Sequence, residues 1–370
     1  MTLLDFSNCP SGYRDYSGSD TKRSIEYNGE KYMLKMPEVR EKKLDIQTSH
    51  VNNVFSEYIG SHVIATLGLP VHETFLGTYN GEPAVACKDF TGNGYRLQEF
   101  SWMMRSVYHA TEVGRIPTYD QLYDTMEKNN LLRPIKQEAI ARYWDTFIAD
   151  SLIGNFDRHK GNWGYLVNED SKDVKLAPIY DCGSCLYPSL SETGMITVLN
   201  DKKAIEDRMY IFPKAALNMS SNIKKEQKAE YYAFPASGID EYCTEAFIRI
   251  YPRINLDAID HVIDSTPLLS DTRINFYKSM LHYRKELILD KIYEALKEKD
   301  INFEQKIVNS SYTYESSKLE ENLAKKGIKP TDFEYATEMS KLKYDCQKRF
   351  GGSLISRNEL NNSTRKTDLR

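Results

Sequence analysis

Residues Ile153–Leu166 read "IGNFDRHKGNWGYL". Asn155, Asp157, Arg158, His159, Lys160 and Asn162 crowd six polar side chains between an apolar run and an aromatic one. Such a stretch is either an exposed turn or a place where an acid, an amide and a cation meet a charged ligand. Its flanks narrow the choice. Upstream, "KQEAIARYWDTFIADSLIG" sets Ile140, Tyr143, Trp144, Phe147, Ile148 and Leu152 at helical spacing and stops at Gly154, as an amphipathic helix closed by a glycine does. Downstream, "NWGYLV", the polar turn "NEDSKD" and "VKLAPIY" read as a hairpin, with Asp181 just past its second strand. The polar stretch is therefore a loop joining a buried helix to a hairpin.

Further toward the N-terminus, "RSIEYNGEKYMLKM" and "ETFLGTYNGEPAVACKDF" each place Asn-Gly between alternating runs. This is the strongest short-range hairpin signal, because a type I′ turn needs positive φ twice. Between them, Val54, Phe55, Ile59, Val63 and Leu67 follow helical spacing, and Gly68 and Pro70 end the helix. The first ninety or so residues thus predict a small antiparallel sheet with one helix against it. The stretch Tyr95–Asn130 reads as polar and mostly helical, and about 203 to 300 as helical, "RINFYKSMLHYRKELILDKIYEALKEK" being the longest run. The tail "NELNNSTRKTDLR" reads as disordered. The expected fold class is α+β with two lobes: a sheet-bearing N-lobe over 1–92, a larger helical C-lobe over 93–300, and a polar helical extension over 301–370.

Composition excludes several functions. The 370 residues are 41% hydrophobic and 28% charged, ordinary for a globular protein with a sizeable core. A net charge of −4 offers no basic field for nucleic acid or anionic lipid. No window approaches the roughly 18 apolar residues of a membrane span. The start "MTLLDFSNCPSGYRDYSG" lacks the basic-then-apolar pattern of a Sec signal peptide. The six cysteines are scattered apart from Cys182 and Cys185, which leads us to expect reduced thiols and a cytoplasmic protein.

The order of polar residues now carries chemistry. Lys35 stands on a strand, Glu57 on a helix, Asp157 and Asn162 in the loop, and Asp181 after a hairpin. Phosphoryl transfer from a nucleotide needs these parts: a lysine on the phosphates, a helix glutamate holding it, an aspartate facing the attacking hydroxyl, and an amide and a second aspartate for magnesium. Each residue also has a plainer reading. Asp157 or Asp181 alone could cap a turn, Lys35 could be a solvated strand lysine, Glu57 a surface glutamate, and His159 a packed ring orienting the loop. Asn162 five residues after Asp157, and Asp181 beyond the hairpin, favour the site. Cys182-Gly-Ser-Cys185 invites a zinc or dithiol reading, but no second pair has matching spacing and no helix N-terminus follows. Gly183 reads better as a pivot after Asp181.

"GNFDRHKGN" with "APIYDCGS" resembles the HipA-like serine/threonine kinases. The resemblance extends over about residues 5 to 295 through "FSEYIGSHVIATLGLPVHETFLGTY", "AVACKDF", "DCGSCLYP" and "RIYPRINLDAID". It implies a protein-kinase-like fold of the kind shared with phosphoinositide kinases, and transfer from ATP, with magnesium, to a serine or threonine of a protein substrate. By the same resemblance Asp157 is the catalytic aspartate, His159 to Asn162 the nucleotide and metal loop, Asn162 and Asp181 the magnesium ligands, and Lys35 the phosphate-binding lysine. Cys87, Lys88 and Asp89 fall where the lobes join and backbone groups read adenine. Ser17, Gly18, Ser19 and Lys22 fall in "SGSDTK", the loop over the phosphates. That loop departs from the family's pattern, with Asp15 near the place of a serine that becomes phosphorylated, so regulation by phosphorylation of that loop does not follow.

The family further implies autophosphorylation and a role as a bacterial toxin or effector. The partner would be an antitoxin or a host protein, and delivery would not need a Sec signal. Two other readings stay open. "DRHxxN" also resembles the catalytic loop of phosphoinositide-type lipid kinases, and a nucleotide-binding pseudokinase could serve as an interaction module. The intact acid–amide–acid set argues against the pseudokinase. Against the lipid kinase, Cys182–Asn200, the segment expected beside the acceptor, contains Glu192 and no lysine or arginine, whereas a phosphorylated headgroup needs cations.

Overall fold

The computed structural model describes residues 3–12, 22–37, 52–222 and 224–354. Ser17, Gly18 and Ser19 lie outside the described residues. Strands β1 (Leu4–Asp5), β2 (Lys22–Tyr27), β3 (Glu30–Lys35), β4 (Thr74–Tyr79) and β5 (Glu82–Lys88) form one sheet in the order β1-β4-β5-β3-β2. Both Asn-Gly pairs turn hairpins, Asn28 and Asn80 each at φ 51° and the following glycines at φ 78° and 83°. The sheet is mixed rather than purely antiparallel, because β1 runs parallel to β4. Period-two alternation divides β5 between two cores. Val85 and Cys87 face helix α1 (Asn52–Thr66), while Ala84 and Ala86 face Phe6, Ile25 and Leu34 on the other side.

The expectation of helix from Tyr95 is corrected at its start. Tyr95–Glu99 is β6, which with β7 (Gly164–Asn168) and β8 (Val174–Leu176) builds a second, antiparallel sheet in the order β6-β7-β8. In "YRLQE" the alternation of Tyr95 and Leu97 with Arg96 and Gln98 is too short to announce a strand, and its ladder partner lies far along the chain. Helices α2 (Phe100–Met104), α3 (Tyr119–Lys128) and α4 (Lys136–Ile153) follow β6. α4 is the axis of the larger lobe, with Trp144, Ile148, Ala149, Leu152 and Ile153 fully buried. It ends as its sequence predicts, with Gly154 left-handed at φ 67° and donating its N–H to Asp150 O.

Beyond the second sheet come α5 (Glu192–Leu199), α6 (Lys202–Tyr210), α7 (Ala233–Ser237), α8 (Glu241–Ile250), α9 (Leu256–Asp264), α10 (Asp271–Arg284) and α11 (Asp290–Lys299). The stretch between α6 and α7 is not helical, contrary to the sequence expectation. Pro213 cannot supply a helix N–H, and Asn218 bridges to Thr118 and Lys228 while its Oδ1 accepts from Ser220 N and Gln227 N. Two long helices close the chain, α12 (Phe303–Lys325) and α13 (Phe333–Phe350), packed along each other. α12 reaches the end of the Glu57 helix: a Cβ on Gly68, at φ 71°, would stand 2.3 Å from the Tyr314 hydroxyl. No described helix is long and apolar enough to cross a membrane.

Candidate active site

Three elements converge on one ammonium. Lys35, the last residue of β3, donates from Nζ to Glu57 Oε2 at 2.7 Å and to Asp181 Oδ1 at 2.8 Å. Lys35 and Glu57 are buried, whereas the Asp181 side chain keeps 30% exposure. Burial alone disfavours all three charges. The mutual attraction outweighs it, holding Lys35 well above its usual pKa and both carboxyls below theirs. Lys22, opposite Lys35 in the β2–β3 ladder, adds to the field that lowers Asp181.

Glu57 is gripped at its other oxygen as well. Oε1 lies 3.0 Å from His72 Nε2 and accepts the Cys182 backbone N–H at 3.1 Å. Sequence reading did not single out His72, and nothing in "LPVHETF" signals it. The ring also contacts Ser61 Oγ at 3.0 Å, and the His72 backbone N–H donates to Ile179 O at 2.8 Å. Glu57, His72 and Cys87 place three ligand-type atoms within 4.8 Å of one another. That cluster carries its own cation in Lys35, and burial, with Glu57 second, pushes the Cys87 thiol well up and keeps it protonated.

The loop after α4 is organised by a buried ion pair that reading the sequence also missed. Arg158 meets Asp150 through Nε at 2.9 Å and Nη2 at 3.1 Å. Its Nη1 donates to the carbonyls of Asn162 at 3.0 Å, Asp181 at 3.2 Å and Tyr180. One nitrogen thus brings the backbones of Asn162 and Asp181 together. Asn155 donates Nδ2 to Asp150 Oδ1 at 3.2 Å, and its carbonyl accepts from Tyr231. The available signal was Asp150 itself, an acid inside the apolar run "FIADSLIG", since a fully buried acid is rare unless paired.

Asp157 sits at the mouth of this loop. Its N–H is donated to Asn155 Oδ1 at 3.2 Å, and its carbonyl accepts from His159 N and from Asn162 Nδ2, both at 2.8 Å. The second contact turns Asn162 Oδ1 away from that carbonyl. His159 accepts the Gly161 N–H at Nδ1, and its Nε2 lies 3.9 Å from Asp157 Oδ2. Burial lowers the His159 pKa against the pull of Asp157. The Asp157 carboxylate is paired with Arg115, which no sequence feature had marked.

Cys87, Lys88 and Asp89 end β5 and lead to the second sheet. Here Lys88 N–H goes to Glu73 O and Asp89 N–H to Lys31 O. Those two donors are committed within the first sheet. Phe90, next in the chain, lies 5.7 Å from the Tyr180 ring, the neighbour of Asp181. Cys182 and Cys185 pack on α1. A Cβ on Gly60 would stand 2.8 Å from Cys185 Sγ and 2.9 Å from Cys182 Cβ, and Ser56 Oγ donates to Cys185 O at 2.7 Å. Burial pushes the Cys182 thiol up to about 12 and Cys185 well above its usual value.

The sequence matches the HipA-like C-terminal domain family over residues 15–239. It is 36% identical over 292 residues to the serine/threonine-protein kinase CtkA of Helicobacter pylori strain J99, spanning 78% of this chain and 87% of that protein. The chain belongs to the HipA-like family of serine/threonine kinases. The architecture agrees. A crystal structure of a Helicobacter pylori proinflammatory kinase CtkA superposes with a TM-score of 0.73 at 34% identity, covering 81% of this chain and 100% of that one. HipA of the Shewanella oneidensis MR-1 toxin–antitoxin system, solved with HipB and operator DNA, aligns over 77% of this chain and 67% of that one, with a TM-score of 0.49 and 16% identity.

Proposed function

We propose that this kinase transfers the γ-phosphoryl group of ATP, in the presence of magnesium, to a serine or threonine hydroxyl of a protein, with Asp157 receiving the hydroxyl proton. The observation that carries the reading is the Lys35 ammonium, which lies within 2.8 Å of both Glu57 and Asp181. A lysine so placed is oriented for phosphate oxygens, while its two acids keep it charged. In the reaction the acceptor oxygen bonds to the γ-phosphorus as the bond from that phosphorus to the β–γ bridging oxygen breaks. ADP leaves with the electron pair, and the proton passes to the Asp157 carboxylate.

The donors suit magnesium, which prefers hard oxygen ligands. Asp181 offers a carboxylate and Asn162 an amide oxygen, and Arg158 holds their backbones around one nitrogen. Bound there, magnesium would neutralise charge on the transferring phosphoryl group. The protein's own part is positioning. Glu57 retains Lys35 when the ammonium turns from Asp181 to phosphate, and the Asp150–Arg158 pair keeps the loop rigid beneath Asp157. Ser17, Gly18, Ser19 and Lys22 are proposed to cover the phosphates, and the chain beyond Cys87 to flank the base. The division into lobes at 92 and an extension from 301 belongs to the same proposal, as do autophosphorylation and action as a toxin held by an antitoxin or as an effector on a host protein.

Radiolabelled ATP with magnesium tests this on the wild type, Asp157→Asn and Asp181→Asn, with calorimetry for nucleotide binding. Asp157→Asn should lose transfer and keep nucleotide affinity within a few-fold, whereas Asp181→Asn should lose the magnesium-dependent part of binding. Equal loss of binding in both variants would refute the assignment of roles.

A further inference from the structure

Asp157 is not alone at the mouth of the site. Arg115, between the short turn Ala110–Glu112 and α3, places Nη2 2.9 Å from Oδ1 and 3.2 Å from Oδ2 of that carboxylate. Both contacts come from one nitrogen, and the Arg115 side chain is 71% exposed. Among the described residues Arg115 makes no other hydrogen bond, so the N–H groups of Nε and Nη1 face outward. A pair this exposed contributes little to stability. Its position over the proposed proton acceptor is what calls for a role.

The same loop carries a further cation, although Glu99 Oε2 also reaches it at Gly161. Lys160 follows His159 in the loop, and its pKa is lowered by burial and by Arg105 at the end of α2. On the acceptor side, Cys182–Asn200 has a single acid, Glu192. That acid is taken by Arg273 at 2.6 Å and by Ser270 at 2.9 Å, so it does not compete for Arg115.

We propose that Arg115 determines acceptor specificity, selecting a serine or threonine flanked by an aspartate or glutamate. The proposal rests on the reading of Asp157 as proton acceptor. Without an acceptor, the guanidinium covers the Asp157 carboxylate. An incoming carboxylate binds the outward edge of the fork and exchanges for Asp157, one acid for another, so the ion pair is replaced rather than lost. Asp157 is then open to the hydroxyl. A neutral flank has to break the pair with nothing in return, and a basic flank is repelled by Arg115.

The test uses the full chain with ATP, magnesium and matched serine peptides whose flanking residue is Glu, Gln or Lys, alongside phosphoinositide vesicles. The wild type should favour Glu over Gln by roughly ten-fold in kcat/KM at low salt, as a charge-assisted contact predicts, and the ratio should shrink as salt rises. In Arg115→Gln the ratio should fall to near one. Equal rates on all peptides in the wild type, or a preference that survives Arg115→Gln, would remove this proposal alone. Transfer to no acceptor at all, with nucleotide still bound, would remove the reading of Asp157 together with it. Label in the lipid, lost in Arg115→Gln, would assign Arg115 to headgroup phosphate and overturn the acidic-peptide reading.

Discussion

His72 Nε2 stands 3.0 Å from Glu57 Oε1, on the opposite side of the carboxylate from Lys35. The glutamate is therefore held between two basic groups, and its angle toward Lys35 is set from behind. His72→Ala should cost about 1.5–3 kcal/mol of stability, as for a hydrogen bond to a charged group. It should also raise the nucleotide KM more than it lowers kcat. His72→Gln, which retains a donor, should recover part of both. Urea unfolding and steady-state kinetics check this, and an unchanged KM in the alanine variant would mean that His72 only fills space.

Removing Lys35 should hurt more than removing Glu57, because it leaves two neighbouring carboxylates without their cation. Lys35→Met is expected to lose about 3–5 kcal/mol, the usual result of orphaning a buried charge. The pH response separates the two proteins. In the wild type the lowered carboxyls contribute fully above their ordinary values of 4.5 and 3.8, losing that contribution only as pH falls through the folded values. The raised lysine contributes fully below 10.5 and loses it only above that. The triad should then leave melting flat between about pH 5.5 and 9. In Lys35→Met the paired acids repel, their pKa values rise, and melting temperature should fall as pH climbs from about 5 to 8. A flat profile in the variant would break this account.

Arg158→Lys should not rescue the loop, although charge is kept. Arg158 uses Nε and Nη2 on Asp150 and Nη1 on backbone carbonyls at once, and a single ammonium cannot occupy all those directions. Calorimetric melting and phosphoryl transfer should both drop in Arg158→Lys, nearly as far as in Arg158→Ala. Wild-type activity in the lysine variant would show that charge alone matters.

The contact between α12 and the Glu57 helix gives opposite results at its two ends. Gly68→Ala places a Cβ 2.3 Å from the Tyr314 hydroxyl at a residue with φ 71°, so a loss of roughly 1–3 kcal/mol is expected from strain and displacement. Tyr314→Phe should be neutral or slightly stabilising, because that hydroxyl is buried with no hydrogen-bond partner among the described residues. Denaturant midpoints of the two variants decide the matter, and equal losses would contradict the packing described.

Much of this architecture was legible in the sequence. The Asn-Gly hairpins, α1 and α4 announce themselves locally, and so do the polar residues of the loop after α4. What stayed hidden depends on distant partners. β6 is a strand only because β7 pairs with it. His72 and Arg115 gain their places when separate elements fold against Glu57 and Asp157, and no spacing along the chain encodes such meetings. The helical expectation between α6 and α7 failed where Pro213 and Asn218 supply competing local geometry.

The sulfur atoms behind α1 give the molecule a clock for its own opening. Cys87, Cys182 and Cys185 are at most 2% exposed, and burial raises all three thiol pKa values. Thiolate attack on a reagent therefore requires the Glu57 helix to part from the loop after Asp181. Cys9, only half-buried, should label at once. With Cys243 and Cys346, buried elsewhere, replaced by serine, the slow phase that follows would time the separation of α1 from that loop, and a nucleotide bound as proposed at Lys35 and Asp181 should lengthen it.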